Sequence, residues 1–167
     1  ASALVRRGWQ VTLLCAGSAP ADGASALPVG VLGPHVTRAP TPMSRLTAQG
    51  VPAARGELQR LVPTGRGWQP VEIDNLGHDP GRREVALVRP AALVTAWIDE
   101  ALGTGRLRLL TGVRVAAVDR ADQGWRLRDP DGAVVAEAPV AVLAAALGVQ
   151  ALGDAVGLSL PLRPVQG

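Results

Sequence analysis

A chain of 167 residues fits one domain and is long enough to bury a core. Its 17 basic residues are all Arg, set against 14 acidic ones, while Lys, Phe and Tyr are absent and Asn75 is the only Asn. That usage matches a GC-rich genome, and a net charge of +3 is too small to argue for nucleic-acid binding by itself.

Without Phe and Tyr, the core must rest on Leu, Val, Ala and four Trp, so little apolar area is buried per residue and marginal stability is expected. Cys15 is the only cysteine, which excludes an internal disulfide and suits a reducing, cytoplasmic setting. No apolar run reaches transmembrane length and no signal peptide is visible. One Cys and two distant His suggest no metal cluster.

In chain order, residues 1–8 read as the last turns of a helix ending at Gly8, followed by a strand, Trp9 to Cys15. A loop rich in Gly, Ala, Ser and Pro runs from Ala16 to Pro34. Residues 37–56 hold scattered Pro and a short helix around Met43 to Gln49. Leu58 to Val62 reads as a strand or a helix turn, and residues 66–84 as polar and irregular, with a turn at Asp79-Pro80-Gly81.

The clearest helix is Pro90 to Leu102. Pro90 suits the first helical position, Leu93, Val94, Trp97, Ile98 and Ala101 share one face, and Gly103 is the expected stop. Leu107 to Leu110 and Val113 to Val118 read as short strands. Trp125 to Arg128, the turn Asp129-Pro130-Asp131-Gly132 and Ala133 to Glu137 read as a β-hairpin. The continuous apolar run Val140 to Ala146 reads as a parallel strand buried on both faces. It is expected in one sheet with residues 9–15, with the helix 91–102 packed on that sheet. Leu158 to Gly167 reads as an extended tail.

The order of these elements, and the strings RRGWQVTLLC (6–15), GASALPVGVLGPHV (23–36), LVRPAALVTAWI (87–98) and LPLRPVQG (160–167), resemble the D-amino-acid-oxidase-like FAD-dependent oxidoreductases. Within them the strings are most similar to the C-terminal oxidoreductase half of the bifunctional tRNA-modifying MnmC family. The resemblance is weakest at residues 39–85. It implies an α/β fold: a partial FAD-binding Rossmann-like domain with an inserted α+β substrate domain. Residues 1–38 and 90–147 would belong to the FAD-binding part, 39–89 to the insertion, and 148–167 to a second substrate-domain segment. The glycine fingerprint that holds the pyrophosphate is expected before Ala1.

The resemblance also implies roles for particular residues. Gly23, Ala24, Ser25 and Gly30 would run along the diphosphate and ribityl of FAD, where small residues let backbone N–H groups approach an anion. An ordinary surface loop has the same composition. Val115 would lie in a strand against the adenine edge, or be plain core. Ala144 and Ala145 would sit at the end of the buried strand, close to the diphosphate. Two departures stand out: Cys15, Ala16 and Gly17 occupy the place of the acidic ribose partner, with Asp22 several residues on, and Leu27-Pro28 stands where many relatives carry Asn or Arg.

No catalytic residue is assigned. His35 either faces a substrate cavity or is structural, and His78 reads as solvated. Arg82-Arg83 and Arg126/Arg128 read as solvated faces or as contacts to RNA phosphate. The implied reaction is oxidation of a C–N bond, removing the carboxymethyl group from carboxymethylaminomethyl-uridine at the tRNA wobble position. A free amino-acid or amine oxidase, glycine-oxidase-like, and an incomplete inactive domain are the alternatives. The partner would accordingly be tRNA or a small amine, with no membrane.

Overall fold

The computed structural model describes residues 1–77 and 79–162. It is mixed α/β, with one two-stranded and two three-stranded sheets. The chain forms two compact units, Ala1–Val11 with Ala19–Arg108, and Thr12–Ser18 with Leu109–Gly167.

In the first unit, α1 (Ser2–Val5) leads towards β1 (Val11–Leu14). A 3-10 turn at Ala24–Ala26 precedes β2 (Gly30–Leu32). Then come α2 (Pro42–Leu61), β3 (Trp68–Asn75), β4 (Gly81–Val88), α3 (Pro90–Gly103) and the start of β5 (Leu107–Leu110). β1 and β5 pair in parallel: Val11 N–H donates to the Arg106 carbonyl in the first unit, and Cys15 N–H to that of Leu110 in the second.

The α2 helix lengthens the expected short helix, and of the two readings of Leu58 to Val62 the helical one holds, with Val62 as its cap. Its start is specified locally: the Thr41 hydroxyl accepts from the Ser44 N–H at 3.1 Å, and the Ser44 hydroxyl from the Thr41 N–H at 2.8 Å. Pro42 follows at the first helical position. The helix then runs 20 residues through Pro52, which removes one backbone donor without ending it. Residues 66–84 are likewise not irregular. β3 and β4 form an antiparallel hairpin, with β2 on the far side of β4 in the order β2-β4-β3.

One face of this sheet carries the core. Trp68, Ala86 and Val88 pack with Leu58 and Val62 at the end of α2 and with Leu93 of α3. The Trp68 Nε1–H donates to the Val62 carbonyl at 2.9 Å, so the ring buries apolar area without stranding its polar atom. The α3 helix starts at Pro90 as expected, and Leu93, Ile98 and Ala101 are its buried residues. Gly103 is its last residue rather than its stop. The chain turns away two residues later at Gly105, whose φ of +68° suits a residue without Cβ.

Charged side chains join α1, α2 and α3. Arg6 contacts Glu57 at 3.2 Å and Glu100 at 3.6 Å, and Arg60 pairs with both carboxylates. Trp97 Nε1–H donates to Glu57 at 2.8 Å, and the Ser2 hydroxyl to Glu100 at 2.9 Å. Hydrogen bonds from Arg60 first, and Trp97 next, pull the Glu57 carboxyl down to about 2. Arg60 and then Ser2 lower Glu100 too.

In the second unit, β6 (Ala117–Ala121), β7 (Gly124–Arg128) and β8 (Val134–Ala138) form an antiparallel sheet in that order. The β7–β8 hairpin is the expected one. Its turn is closed by Asp129, whose Oδ1 accepts from the N–H groups of Asp131 and Ala133 at 3.0 and 2.8 Å. Gly124, at φ +148°, tolerates no other residue, because a Cβ there would run into the Ala138 carbonyl and Pro139. The expected buried strand at Val140 to Ala146 is not present. Residues 140–145 are irregular, and Val140 and Val142 are 53% and 71% exposed. An apolar run becomes a buried strand only where a neighbour pairs its backbone, and no described strand does so here. The α4 helix (Gly148–Asp154) follows, where no element was expected. Residues 158–162 of the tail form no helix or strand, and Leu162 N–H donates to the Leu160 carbonyl at 2.8 Å, so this part turns rather than extends; the rest of the tail lies outside the described residues.

Two outcomes follow for the first unit. Trp68→Ala should cost about 3–5 kcal/mol in denaturant unfolding, because it empties the centre of the core and orphans the Val62 carbonyl. Glu57 has its folded value below its ordinary 4.5, so its contribution is present above 4.5 and lost as pH falls towards about 2. The melting temperature of the protein should drop over that acid window, and Glu57→Gln should flatten the drop. An unchanged acid profile in Glu57→Gln would show that the carboxylate contributes nothing.

Candidate functional site

The face of the β2-β4-β3 sheet turned away from the core carries a cleft of about 230 Å³. Strand alternation decides its lining. Val71 lies opposite Val85, Ile73 opposite Arg83, Asn75 opposite Gly81, and Val31 opposite Leu87. Directly opposed residues share a face, so these stand together, while Trp68, Ala86 and Val88 point the other way. Val85 is 2% exposed and forms the floor, with Val31 and Ile73 beside it. His35, Asn75 and Arg83 supply polar groups around it. A second hollow, lined by Val36, Thr37, Arg38 and Asp79, shares Val36 with the first.

The acidic residues of the hairpin mostly occupy the opposite face. Glu72 and Glu84 lie across from one another and are balanced by Arg82 at 3.6 Å and by Arg55. Asp74 lies 3.7 Å from Arg82. Arg83 therefore stands on the cleft face with a single carboxylate partner, Asp79 of the turn, which also accepts through its backbone carbonyl at 3.2 Å. The Arg83 Nε is buried and has no acceptor among the described residues. Asn75 is fixed by donating to the Asp79 carbonyl at 2.8 Å and accepting from Gly77 N–H at 3.3 Å. The His35 backbone N–H donates to the Thr47 hydroxyl at 3.0 Å, tying this loop to α2.

The residues expected to hold FAD fall elsewhere. Gly23 caps the 3-10 turn that contains Ala24 and Ser25, and the turn sits beside α3. Gly30 is the first residue of β2, opposite Val88. Val115 is not in a strand: it lies in the irregular segment before β6, which starts only at Ala117. Its expected neighbours pair later because the hairpin register with β7 fixes Ala117 opposite Arg128. Ala144 and Ala145 are exposed in the irregular 140–145 stretch rather than at the end of a buried strand. The reading of His78 lies outside the described residues.

Within each unit these positions are small or open. Nothing stands within 4 Å of where a Gly23 Cβ would be, and Ala24, Ser25, Ala144 and Ala145 carry small side chains. The end of β1 offers no carboxylate to ribose hydroxyls, since Cys15 follows Leu14 there. The arginines considered as phosphate contacts are engaged within their own hairpins. Arg82 faces Glu72 and Asp74, Arg126 pairs with Glu137 at 2.5 Å, and Arg128 with Asp119 at 2.7 Å. Arg120 lies over the Trp125 ring at 4.4 Å. Among the described residues no helix is long and apolar enough to cross a membrane, and no group of three or more His, Cys, Asp or Glu could hold a metal ion.

The polar residues of the cleft were legible only in part. In the sequence His35 stands just beyond the Gly-Ala-Ser loop, whereas Arg82-Arg83 reads as one basic pair. Recognising β4 as a strand would have separated them, because adjacent strand residues face opposite ways.

No family model matches the chain. It is 34% identical over 168 residues to the tRNA 5-methylaminomethyl-2-thiouridine biosynthesis bifunctional protein MnmC of Albidiferax ferrireducens, covering 96% of the chain and 27% of that protein. Its identity to the protein of the same name from Polaromonas sp. (strain JS666) is 30% over 195 residues, 93% of the chain and 30% of the relative. A stretch of 65 residues is 49% identical to the Paracidovorax citrulli protein, 39% of the chain and 10% of the relative. The chain thus spans less than a third of the length of these curated relatives.

At Gly30 an added Cβ would meet Pro90 Cγ at 3.8 Å and the Val88 carbonyl at 3.9 Å, which is ordinary contact. Gly30→Ala should therefore change unfolding stability by no more than about 0.5 kcal/mol. A larger loss in chemical denaturation would mean that β2 needs glycine for its own packing.

Proposed function

We propose that this chain, homologous to part of the MnmC proteins, is a section of an FAD-dependent oxidoreductase acting on a CH–NH group in tRNA modification. The observation that carries the reading is 34% identity extending over 96% of the chain, rather than over one motif. The element order supports the finer assignment to a Rossmann-like FAD-binding part with an inserted substrate-domain sheet. In it a parallel strand pair is interrupted by α2 and the β2-β4-β3 sheet.

In this reading the substrate is carboxymethylaminomethyl-uridine at the wobble position of tRNA. The methylene carbon between amine and carboxylate loses a hydride equivalent and its nitrogen a proton. Water adds to that carbon, the C–N bond breaks, and the products are aminomethyl-uridine and a two-carbon oxo acid. FAD, when bound, supplies the two-electron acceptor.

The chain's own residues would bind and position. Gly23, Ala24 and Ser25 would let the backbone approach the diphosphate, with Gly30 further along the same loop. Ala144 and Ala145 would leave room for it through their small side chains, and Val115 would lie near the adenine. The cleft on the β2-β4-β3 sheet would exclude water from the reacting group through Val31, Ile73 and Val85.

The test uses the natural gene product containing this sequence. Turnover of tRNA bearing the modified uridine should exceed that of free glycine or sarcosine by more than about tenfold, since contacts remote from the reacting carbon contribute to positioning. The tRNA rate should also fall about tenfold or more between roughly 50 and 200 mM salt. Equal turnover of a free amino acid, insensitive to salt, would move the reading to a small-amine oxidase.

A further inference from the structure

We propose that Arg7, Trp9, Arg106 and Arg108 form an RNA-docking surface at the amino ends of the parallel pair β1-β5. The Trp9 indole stacks on an unpaired base, and the guanidinium groups take the flanking phosphates. The choice of tRNA as the RNA rests on the tRNA-modifying reading above, while the surface itself rests on charge and exposure.

The backbone assembles this surface. After α1 the chain turns at Gly8, whose φ is +87°, and the Trp9 N–H donates to the Leu4 carbonyl at 3.2 Å. Two residues later the Val11 N–H donates to the Arg106 carbonyl at 2.9 Å, which sets Trp9 and Gln10 beside Gly105 and Arg106. All of these residues belong to the first unit. Leu107 is buried while Arg106 and Arg108 on either side of it are exposed, so strand alternation places both arginines on the open side of the pair. Trp9 is 50% exposed, although an indole is among the side chains most buried on average.

Charge decides the partner. Among the described residues none of Arg7, Arg106 and Arg108 has a carboxylate within salt-bridge distance. Arg7 donates to the Ala3 carbonyl at 2.9 Å, which leaves most of its fork open. Glu57 and Glu100, on the adjoining helices, are engaged by Arg6 and Arg60, and Asp99 lies outside salt-bridge range of all three arginines. Uncompensated guanidinium groups around an open indole fit a chain of regularly spaced negative charges that carries planar rings, as RNA does. An acidic peptide supplies the charge without a ring at each unit. The Arg120–Trp125 pair of the second unit lacks this opening, because its own guanidinium lies over the ring at 4.4 Å and Trp125 is half-buried. The surface shares no residue with the cleft or with the expected FAD contacts.

The experiment is fluorescence anisotropy of an unmodified, end-labelled tRNA transcript, titrated with the natural gene product containing this sequence. Trp9→Ala should weaken binding about fivefold or more, and Trp9→Phe, which keeps a stacking ring, should lose less. Arg7→Gln, Arg106→Gln and Arg108→Gln should each lower the slope of log affinity against log salt by roughly one. Arg82→Gln and Arg126→Gln, which remove guanidinium groups already facing carboxylates, should change neither quantity. A blunt RNA duplex should show the arginine dependence without responding to Trp9→Ala. Thermal melts should be unaltered, since all four side chains are exposed. Should Trp9→Ala melt early, the arginine variants and Trp9→Phe carry the test.

Unaltered affinity and salt slope in the Trp9 and arginine variants would overturn the surface. Arg126→Gln matching Arg106→Gln would reduce the effect to net charge and overturn it too. Polyglutamate displacing the labelled tRNA as well as unlabelled tRNA does, at equal charge, would assign an acidic polypeptide and overturn RNA. The unmodified transcript is bound and not turned over, so the measurement needs neither flavin nor oxidation, and its failure leaves the CH–NH reading standing.

Discussion

Trp68 is the contact on which the first unit depends. Its ring fills the space between the end of α2 and the start of α3, and its indole N–H is satisfied by the Val62 carbonyl. The same residue stands opposite Val88 at one end of the β3–β4 ladder, so seating the ring also fixes the register of the hairpin. A slip of one residue would exchange the two faces, putting Arg83 and Asn75 into the core and Ala86 and Val88 into solvent. The polar character of the cleft is thus a consequence of an apolar contact made at the other end of the same strands.

How far the sequence exposed this depends on whether local and tertiary signals agree. At α3 they do: Pro90 at the start and an apolar face over Leu93, Ile98 and Ala101 leave one reading. The β7–β8 hairpin is as plain, because Asp129-Pro130-Asp131-Gly132 has only one good use. At α2 the local signals oppose the outcome, since Gly50, Pro52 and Gly56 lower helix propensity and the helix holds through its Thr41–Ser44 cap and the packing of Leu58. At β3–β4 the usual alternation is hidden, because the residues facing away from the cleft towards the hairpin tip are charged. Arg82 pairs with Glu72 and Asp74, and Glu84 with Arg55 of α2, so these residues are held by charge instead of by burial. Val140 to Ala146 misled in the opposite sense, since apolar composition states a preference for burial but not the presence of a pairing strand.

A chain whose every cation is Arg uses that residue in two ways. On the hairpins Arg82, Arg126 and Arg128 face carboxylates at exposed positions, where each pair is worth little in stability and serves mainly to specify which strands meet. Between α1, α2 and α3 the carboxylates of Glu57 and Glu100 are partly covered and receive an indole N–H and a hydroxyl as well as guanidinium groups. There the planar fork of Arg60 can engage two acids at once, which an ammonium could not reproduce in the same geometry. Such a network orients three helices whose apolar contacts are limited by small side chains such as Ala86, Ala92 and Ala96.

The same economy bears on the cleft. Its polar groups are not supported by the core but by the hairpin's own turn, where Asp79 receives both Asn75 and Arg83. A site organised this way is preformed in the part that fixes direction, the amide and guanidinium anchored to one turn. Asp79 is itself exposed, so this pair is held by hydrogen bonds at the hairpin tip rather than by burial.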